Sequence, residues 1–174
     1  EAMPAYYGEI AGSCAVDRCL AHAKAMIGWD EKYPSRTLPN GHIRAVGLAL
    51  AMQGSGISGV DTGAVSIRLG EGGVYNMSIG ATDMGTGCDT ILAQIAAQSL
   101  DCDVDNITVH GVDTDTSPYD CGSYASSTTY VTGMAVVKTC EVLRQKIVRA
   151  GAKLLGIAPD EASFEGDCVK SAAT

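Results

Sequence analysis

Residues 63–100 run through three patterns in immediate succession, and that order leaves few folds open. Residues 63–69 alternate, with Val65, Ile67 and Leu69 on one side, the period of a half-buried strand. The turn Gly70-Glu71-Gly72-Gly73 leads into a second apolar run over 74–79, so the two read as a hairpin. The stretch Ala81-Thr82-Asp83-Met84-Gly85-Thr86-Gly87 then switches the period to that of a helix, from Thr86 or Cys88 to Leu100. Ile91, Leu92, Ile95 and Ala96 share one face of it. A hairpin with one apolar face and a helix with one apolar stripe bury each other in a two-layer unit.

The flanking chain extends this plan. Residues 13–29 carry Cys19, Leu20, Ala23, Met26 and Ile27 at helical steps, and Gly28 and Pro34 close the helix. Residues 33–41 read as a loop. The nearly all-apolar run within 42–53 reads as a strand buried on both faces. A short strand is expected over 106–112, then a polar loop over 113–126, then a long helix over 127–155. Val136, Cys140, Leu143, Ile147 and Leu154 mark its buried stripe, and Lys138, Glu141, Gln145 and Arg149 its wet side. From Gly156 on, a short tail is expected to fray. The fold class is therefore α/β of the α+β type, a two-layer mixed sheet with helices. It divides into a helix and linker (1–41), an α/β subdomain (42–156) and a tail (157–174), with no internal repeat.

At 174 residues, one core suffices without a metal or disulfide staple. Hydrophobic residues at 46% against 18% charged match a globular chain. A first residue of Glu1 rather than Met, with no leader after it, reads as a fragment. Twelve basic against twenty acidic residues, net charge −8, give no surplus for nucleic acid or anionic membranes. No apolar run reaches a membrane span. The cysteines number seven, irregularly spaced, with no C-x-x-C pair; reduced thiols in a cytoplasmic protein are the plainer reading.

Several motifs imitate sites. Gly54-Ser55-Gly56-Ile57-Ser58-Gly59 fits G-x-G-x-x-G, but a strand pattern follows where the dinucleotide fingerprint needs a helix. Asp101, Asp103 and Asp105 imitate half of a calcium loop, yet Asn106 replaces the Gly and Val112 the bidentate Glu. His22, His42 and His110 lack i, i+4 partners. Cys88 stands near a helix N-terminus, where a thiolate would be stabilised, although a buried structural thiol is commoner. No metal ligand set emerges.

Two similar constructions carry more. Met84-Gly85-Thr86-Gly87 turns sharply into a helix, which is expected to leave several N–H donors unpaired and pointing outward. Tyr124-Ala125-Ser126-Ser127-Thr128-Thr129 opens the long helix with hydroxyls and free amides. Helix N-termini favour anions, and two on one rim could hold a phosphate, a pyrophosphate or an oxyanion. Plain N-capping by Thr and Ser explains the same residues.

Gly80-Ala-Thr-Asp-Met-Gly-Thr-Gly87 resembles the Gly-Thr-Glu-Met-Gly-Gln-Gly segment of the xanthine dehydrogenase and aldehyde oxidase family, the molybdenum hydroxylases. The stretch from Gly111 to Val136 resembles that family's second cofactor-contacting segment. The match is dense from Val46 to Leu155, in order and with matching spacing. The resemblance implies contacts to molybdopterin, or to its cytosine dinucleotide form, from Met84, Gly85, Thr86 and Gly87 and from Ala125, Ser126, Ser127 and Thr128. Thr86 stands where many members carry Gln, so the longer amide's contacts are not made here.

The family's catalytic Glu, in a Gly-Glu-Pro setting, and its Gly-Gly-Phe-Gly loop have no counterpart in these residues. The resemblance thus implies no catalytic residue in this chain and an isolated chain without activity. Its partners would be the rest of the molybdenum subunit and iron–sulfur and FAD domains or subunits. The chemistry implied is hydroxylation of a purine or related N-heteroaromatic, with water as the oxygen source. A stand-alone phosphate- or nucleotide-binding module is the alternative.

Overall fold

The computed structural model describes residues 15–51 and 59–171. The chain forms two compact units, residues 1–54 and 55–174. The Gly54–Ser58 part of the glycine-rich motif, and Cys14, lie outside the described residues.

In the first unit, α1 (Val16–Ile27) ends where Gly28 turns left-handed at φ 64 and returns its N–H to Lys24 and Ala25, a glycine C-cap. A single turn, α2 (Trp29–Lys32), follows. The loop expected over 33–41 contains a strand, β1 (Ser35–Thr37), paired antiparallel with β2 (Ile43–Ala45). The long strand expected over 42–53 is thus reduced to three residues, and all three are exposed; Ile43 is 73% accessible. Burial on both faces needs a layer on each side, and among the described residues β2 pairs with β1 alone in a two-stranded sheet.

The second unit holds the core. β3 (Val65–Leu69) and β4 (Tyr75–Ile79) form the expected hairpin. α3 (Cys88–Leu100) carries the chain back so that β5 (Ile107–His110) lies parallel beside β4. The register places Ile67, Met77 and Val109 side by side, with Val65 opposite Ile79 and Tyr75 opposite Ile107. Because side chains alternate across a sheet, this puts every one of those residues on one face. Onto it pack α3, through Leu92, Ala96 and Leu100, and α4 (Thr128–Leu155), through Val136 and Cys140. The architecture is the two-layer mixed unit read from the sequence.

The two helices run in the same direction. Ile95 of α3 meets Gly133 of α4, Cys140 Sγ lies 4.0 Å from the Ala96 carbonyl, and Arg144 Nη1 donates to Ser99 O at 3.1 Å. Contacts that advance together along both helices require parallel axes, so both N-termini sit at one end.

Over its described residues, 157–171, the segment after Gly156 is not a fraying tail. A helical turn, Pro159–Glu161, leads into a second hairpin, β6 (Ala162–Glu165) and β7 (Cys168–Ser171). Phe164 is buried, and the Arg144 guanidinium lies 5.1 Å from its ring centroid while Nη2 donates to Phe164 O at 3.3 Å. Gly151 leaves the gap into which Val169 fits; a Cβ there would lie 2.5 Å from it. Leu154, assigned to the buried stripe, is 89% accessible, because Ala152 takes the inward position in that turn. The aspartates of the false calcium loop serve the backbone: Asp103 accepts from Asp105 N at 3.0 Å and Asp101 from Gly166 N at 3.2 Å. His110 lies on the outer sheet face, 3.5 Å from the Asn76 amide oxygen.

Candidate functional site

The first segment differs from expectation in one respect. Asp83 Oδ1 accepts from Gly85 N at 2.8 Å and from Gly87 N at 3.1 Å. Two of the donors expected to face outward are therefore satisfied by the chain's own carboxylate. Gly85 (φ 97) and Gly87 (φ 73) take left-handed conformations that L-residues avoid, which is how the amides converge. Met84, Gly85 and Thr86 are exposed and Gly87 is half-buried. This turn is an anion nest with an internal anion in it.

The amide bonds from Gly85 and then Gly87 hold the Asp83 carboxyl below its ordinary value of 3.8. A carboxylate with a depressed folded pKa contributes fully above its unfolded value, and that contribution is lost as pH falls through the folded one. The Gly85 and Gly87 amide resonances should therefore shift with a midpoint below pH 3.8. A midpoint at or above 3.8 would contradict this arrangement.

Cys88 is buried at the start of α3, and desolvation raises its thiol pKa. It is a protonated core thiol, not an activated thiolate. Asp83, Cys88 and Asp89 bring ligand atoms within 4.8 Å of one another, the one such group among the described residues. One of these ligand atoms, Asp83 Oδ1, already accepts from two backbone amides.

In the second segment, Ala125 (φ 50) and Ser126 (φ 54) are consecutive left-handed residues that are not glycine. Each such conformation costs on the order of 1–3 kcal/mol and persists only where the surroundings hold it. Ser127 is buried, and its hydroxyl donates to Tyr124 O at 2.9 Å while its N–H reaches the same oxygen at 3.2 Å. Its side chain therefore secures the turn and does not face outward. No side chain caps α4, and its first turn contains no acidic residue. Ser126 is exposed and Thr128 half-buried at this uncapped end.

The fold joins the two segments. Ser123 Oγ donates to Thr82 O at 3.4 Å. Gly80, at the end of β4, admits the other loop so closely that a Cβ would stand 2.5 Å from Pro118 O and 2.7 Å from Asp120 Cβ. Between them lies a cavity of about 390 Å³ bordered by Gly80, Thr82, Asp113 and Asp120. The lead-ins to Met84–Gly87 and to Ala125–Thr128 thus touch at the common N-terminal end of α3 and α4. Sequence reasoning missed Asp83, although Asp-x-Gly carries the signature of an Asx turn. It also missed Gly80, whose neighbours Pro118 and Asp120 are remote in sequence and leave no local pattern.

Comparison with known proteins gives this geometry a context. Residues 22–174 match the family model described as a molybdopterin cofactor-binding domain. The chain is 38% identical over 148 residues to the probable hypoxanthine oxidase XdhD of Escherichia coli K12, covering 84% of this chain. It is 28% identical over 147 residues to the xanthine dehydrogenase molybdenum-binding subunit of Escherichia coli O157:H7, covering 82% of this chain. The chain spans only 15% and 20% of those two relatives. Among solved structures, the reconstituted CO dehydrogenase from Oligotropha carboxidovorans superimposes with a TM-score of 0.60 at 26% identity, over 64% of this chain and 14% of that one. None of these three is a stand-alone nucleotide-binding module. Among the described residues, no helix is long and apolar enough to cross a membrane.

Proposed function

The chain belongs to the molybdopterin cofactor-binding domain family, and on that premise we propose that it forms one wall of the cofactor site in a larger molybdenum-dependent oxidoreductase. The observation that carries this reading is the meeting of two lead-in segments at the shared N-terminal end of parallel α3 and α4. When bound, the cofactor supplies the redox-active metal at which substrate is oxidised.

The donor set fits a phosphate-bearing group. The uncapped end of α4 offers amides, Ser126 and Thr128 offer hydroxyls, and no carboxylate stands in that first turn to repel an anion. The first segment contributes differently from the second. Asp83 has already neutralised the Gly85 and Gly87 amides, so Met84 and Thr86 meet the cofactor by contact and by the Thr86 hydroxyl. Ala125 contributes backbone, and Ser127 acts through the turn it closes.

We assign the substrate as a purine or related N-heteroaromatic, a reading supported by the likeness to the hypoxanthine oxidase. Iron–sulfur and flavin groups, and the residues that act on the substrate, belong to the rest of the enzyme. Replacing Ser126 and Thr128 together by Ala in the complete enzyme should lower molybdenum per subunit by about tenfold or more, the effect of losing a hydrogen bond to a charged group. Metal analysis of the purified variant checks this. Unchanged molybdenum content would sink the assignment of residues 125–128.

A further inference from the structure

The hairpin of the first unit sets two arginines directly opposite each other. The register of β1 and β2 pairs Arg36 with Arg44, so both side chains leave the same face, with Cβ atoms about 5 Å apart. Ser35, Thr37, Ile43 and Ala45 take the other face. Like charges in this relation repel and destabilise the strands that carry them. Nothing close in the sequence relieves the repulsion. The chain has twenty acidic residues, yet none stands between Glu31 and Asp61. Among the described residues of this unit the ion pair is that of Lys24 with Asp30, at 3.7 Å, and neither arginine takes part in it.

Arg44 is exposed and Arg36 half-buried. The Nε of Arg36 is sealed from solvent and has no hydrogen-bond partner, so part of this cation has left water with nothing given in exchange. Its planar fork matches the two oxygens of a carboxylate or phosphoryl group. Two such forks at strand spacing suit a pair of carboxylates or one dianionic oxyanion.

The apolar side chains of the same unit choose between these. Ile43 is 73% accessible, and Leu48 and Leu50, just beyond β2, are 49% and 66% accessible. A free ion leaves that surface wet, and a two-stranded hairpin by itself is marginal in water. A polypeptide segment covers apolar side chains while its carboxylates meet the arginines. The chain spans 15% and 20% of two relatives, which leaves most of such a subunit to supply the segment.

We propose that the Arg36–Arg44 face of the hairpin is a docking surface for an acidic segment of the remaining molybdenum subunit, one that brings two carboxylates. The inference takes from the proposed function only that this chain is part of a larger subunit. It needs nothing of the residues assigned to the cofactor.

The test uses the complete enzyme. Arg36→Lys and Arg44→Lys are each treated with a water-soluble carbodiimide, which joins an amine to a carboxylate in contact with it, and the new amides are located by mass spectrometry. Lys24, beside Asp30, reports in the same sample that the reagent has acted. Each new lysine should be joined to an Asp or Glu of the subunit outside residues 1–174. In Arg36→Gln/Arg44→Gln, amide exchange at Leu38, which donates to His42 O at 2.7 Å, should quicken about tenfold or more, as for a lost hydrogen bond to a charged group.

Unchanged or slower exchange would overturn the proposal, since removing two like charges relieves a hairpin that is not docked. Failure of both lysines to react while Lys24 does would overturn it too, as would an amide to a carboxylate within residues 1–174 of the same or a second copy. A rise in the parent's thermal midpoint with phosphate over chloride at equal ionic strength, missing from the Gln variant, would give the arginines to a free oxyanion instead. Molybdenum in the Ser126→Ala/Thr128→Ala variant keeps the two readings apart. Its loss without any cross-link sinks the docking surface alone; its retention with the cross-link present sinks the cofactor wall alone.

Discussion

Replacing Met77 with Ala should lower the unfolding free energy by about 2–5 kcal/mol, the range for deleting a large buried aliphatic side chain. Met77 is fully buried at the centre of the middle strand, between Ile67 on β3 and Val109 on β5. It belongs to the cluster that α3 and α4 cover with Leu92, Ala96, Val136 and Cys140. A hole at that point removes contacts to both layers, and a sheet pinned by neighbours on each side cannot collapse to fill it. Met77→Leu, which nearly conserves volume, should cost less than about 1.5 kcal/mol. Urea unfolding followed by circular dichroism measures both. Similar midpoints for the Ala and Leu variants would show that Met77 is not packed as described.

The layer that Met77 anchors was legible because its signals are local. Period-two alternation over β3, a glycine turn and a change to helical period fixed three elements and their shared apolar face. The strand β5 was legible as well, while its parallel pairing with β4 emerges only in the fold, where α3 carries the chain back between them. The apolar run over 42–53 misled because continuous hydrophobicity reports a wish for burial, while burial itself needs covering layers that this unit's described residues lack. The final hairpin was hidden for the opposite reason. Its strands are four residues each, too short for a period to register, and Phe164 and Arg144 meet across 20 residues.

At the candidate site, sequence identified the two segments and both helix starts. It misjudged which donors remain available, since Asp83 Oδ1 claims the Gly85 and Gly87 amides through a turn chemistry that propensity arguments pass over. It also had no means of finding the contact of Cys121 with Thr62, a property of the folded arrangement with no spacing of its own.

The closeness of the two lead-in segments makes Gly80 the most sensitive position at the site. Gly80→Ala should cost about 1–3 kcal/mol of stability by overpacking and should reduce molybdenum content by about tenfold or more, since the strain falls on the segments themselves. The backbone angle is not the obstacle, for Gly80 is not among the glycines with positive φ. Space is: the added methyl would stand 2.5 Å from Pro118 O and 3.1 Å from Asp120 N, both backbone atoms that no rotamer change can move. The loop over 113–122 must retreat, which pulls on the Ser123–Thr82 hydrogen bond and shifts the approach to Ala125–Thr128. Gly151→Ala provides the contrast, because its methyl would strike Val169 on the hairpin, away from both segments. It should lower stability while sparing cofactor content in the protein that remains folded. Equal molybdenum loss per folded subunit in the two variants would mean that the contact at Gly80 has no special relation to the cofactor wall.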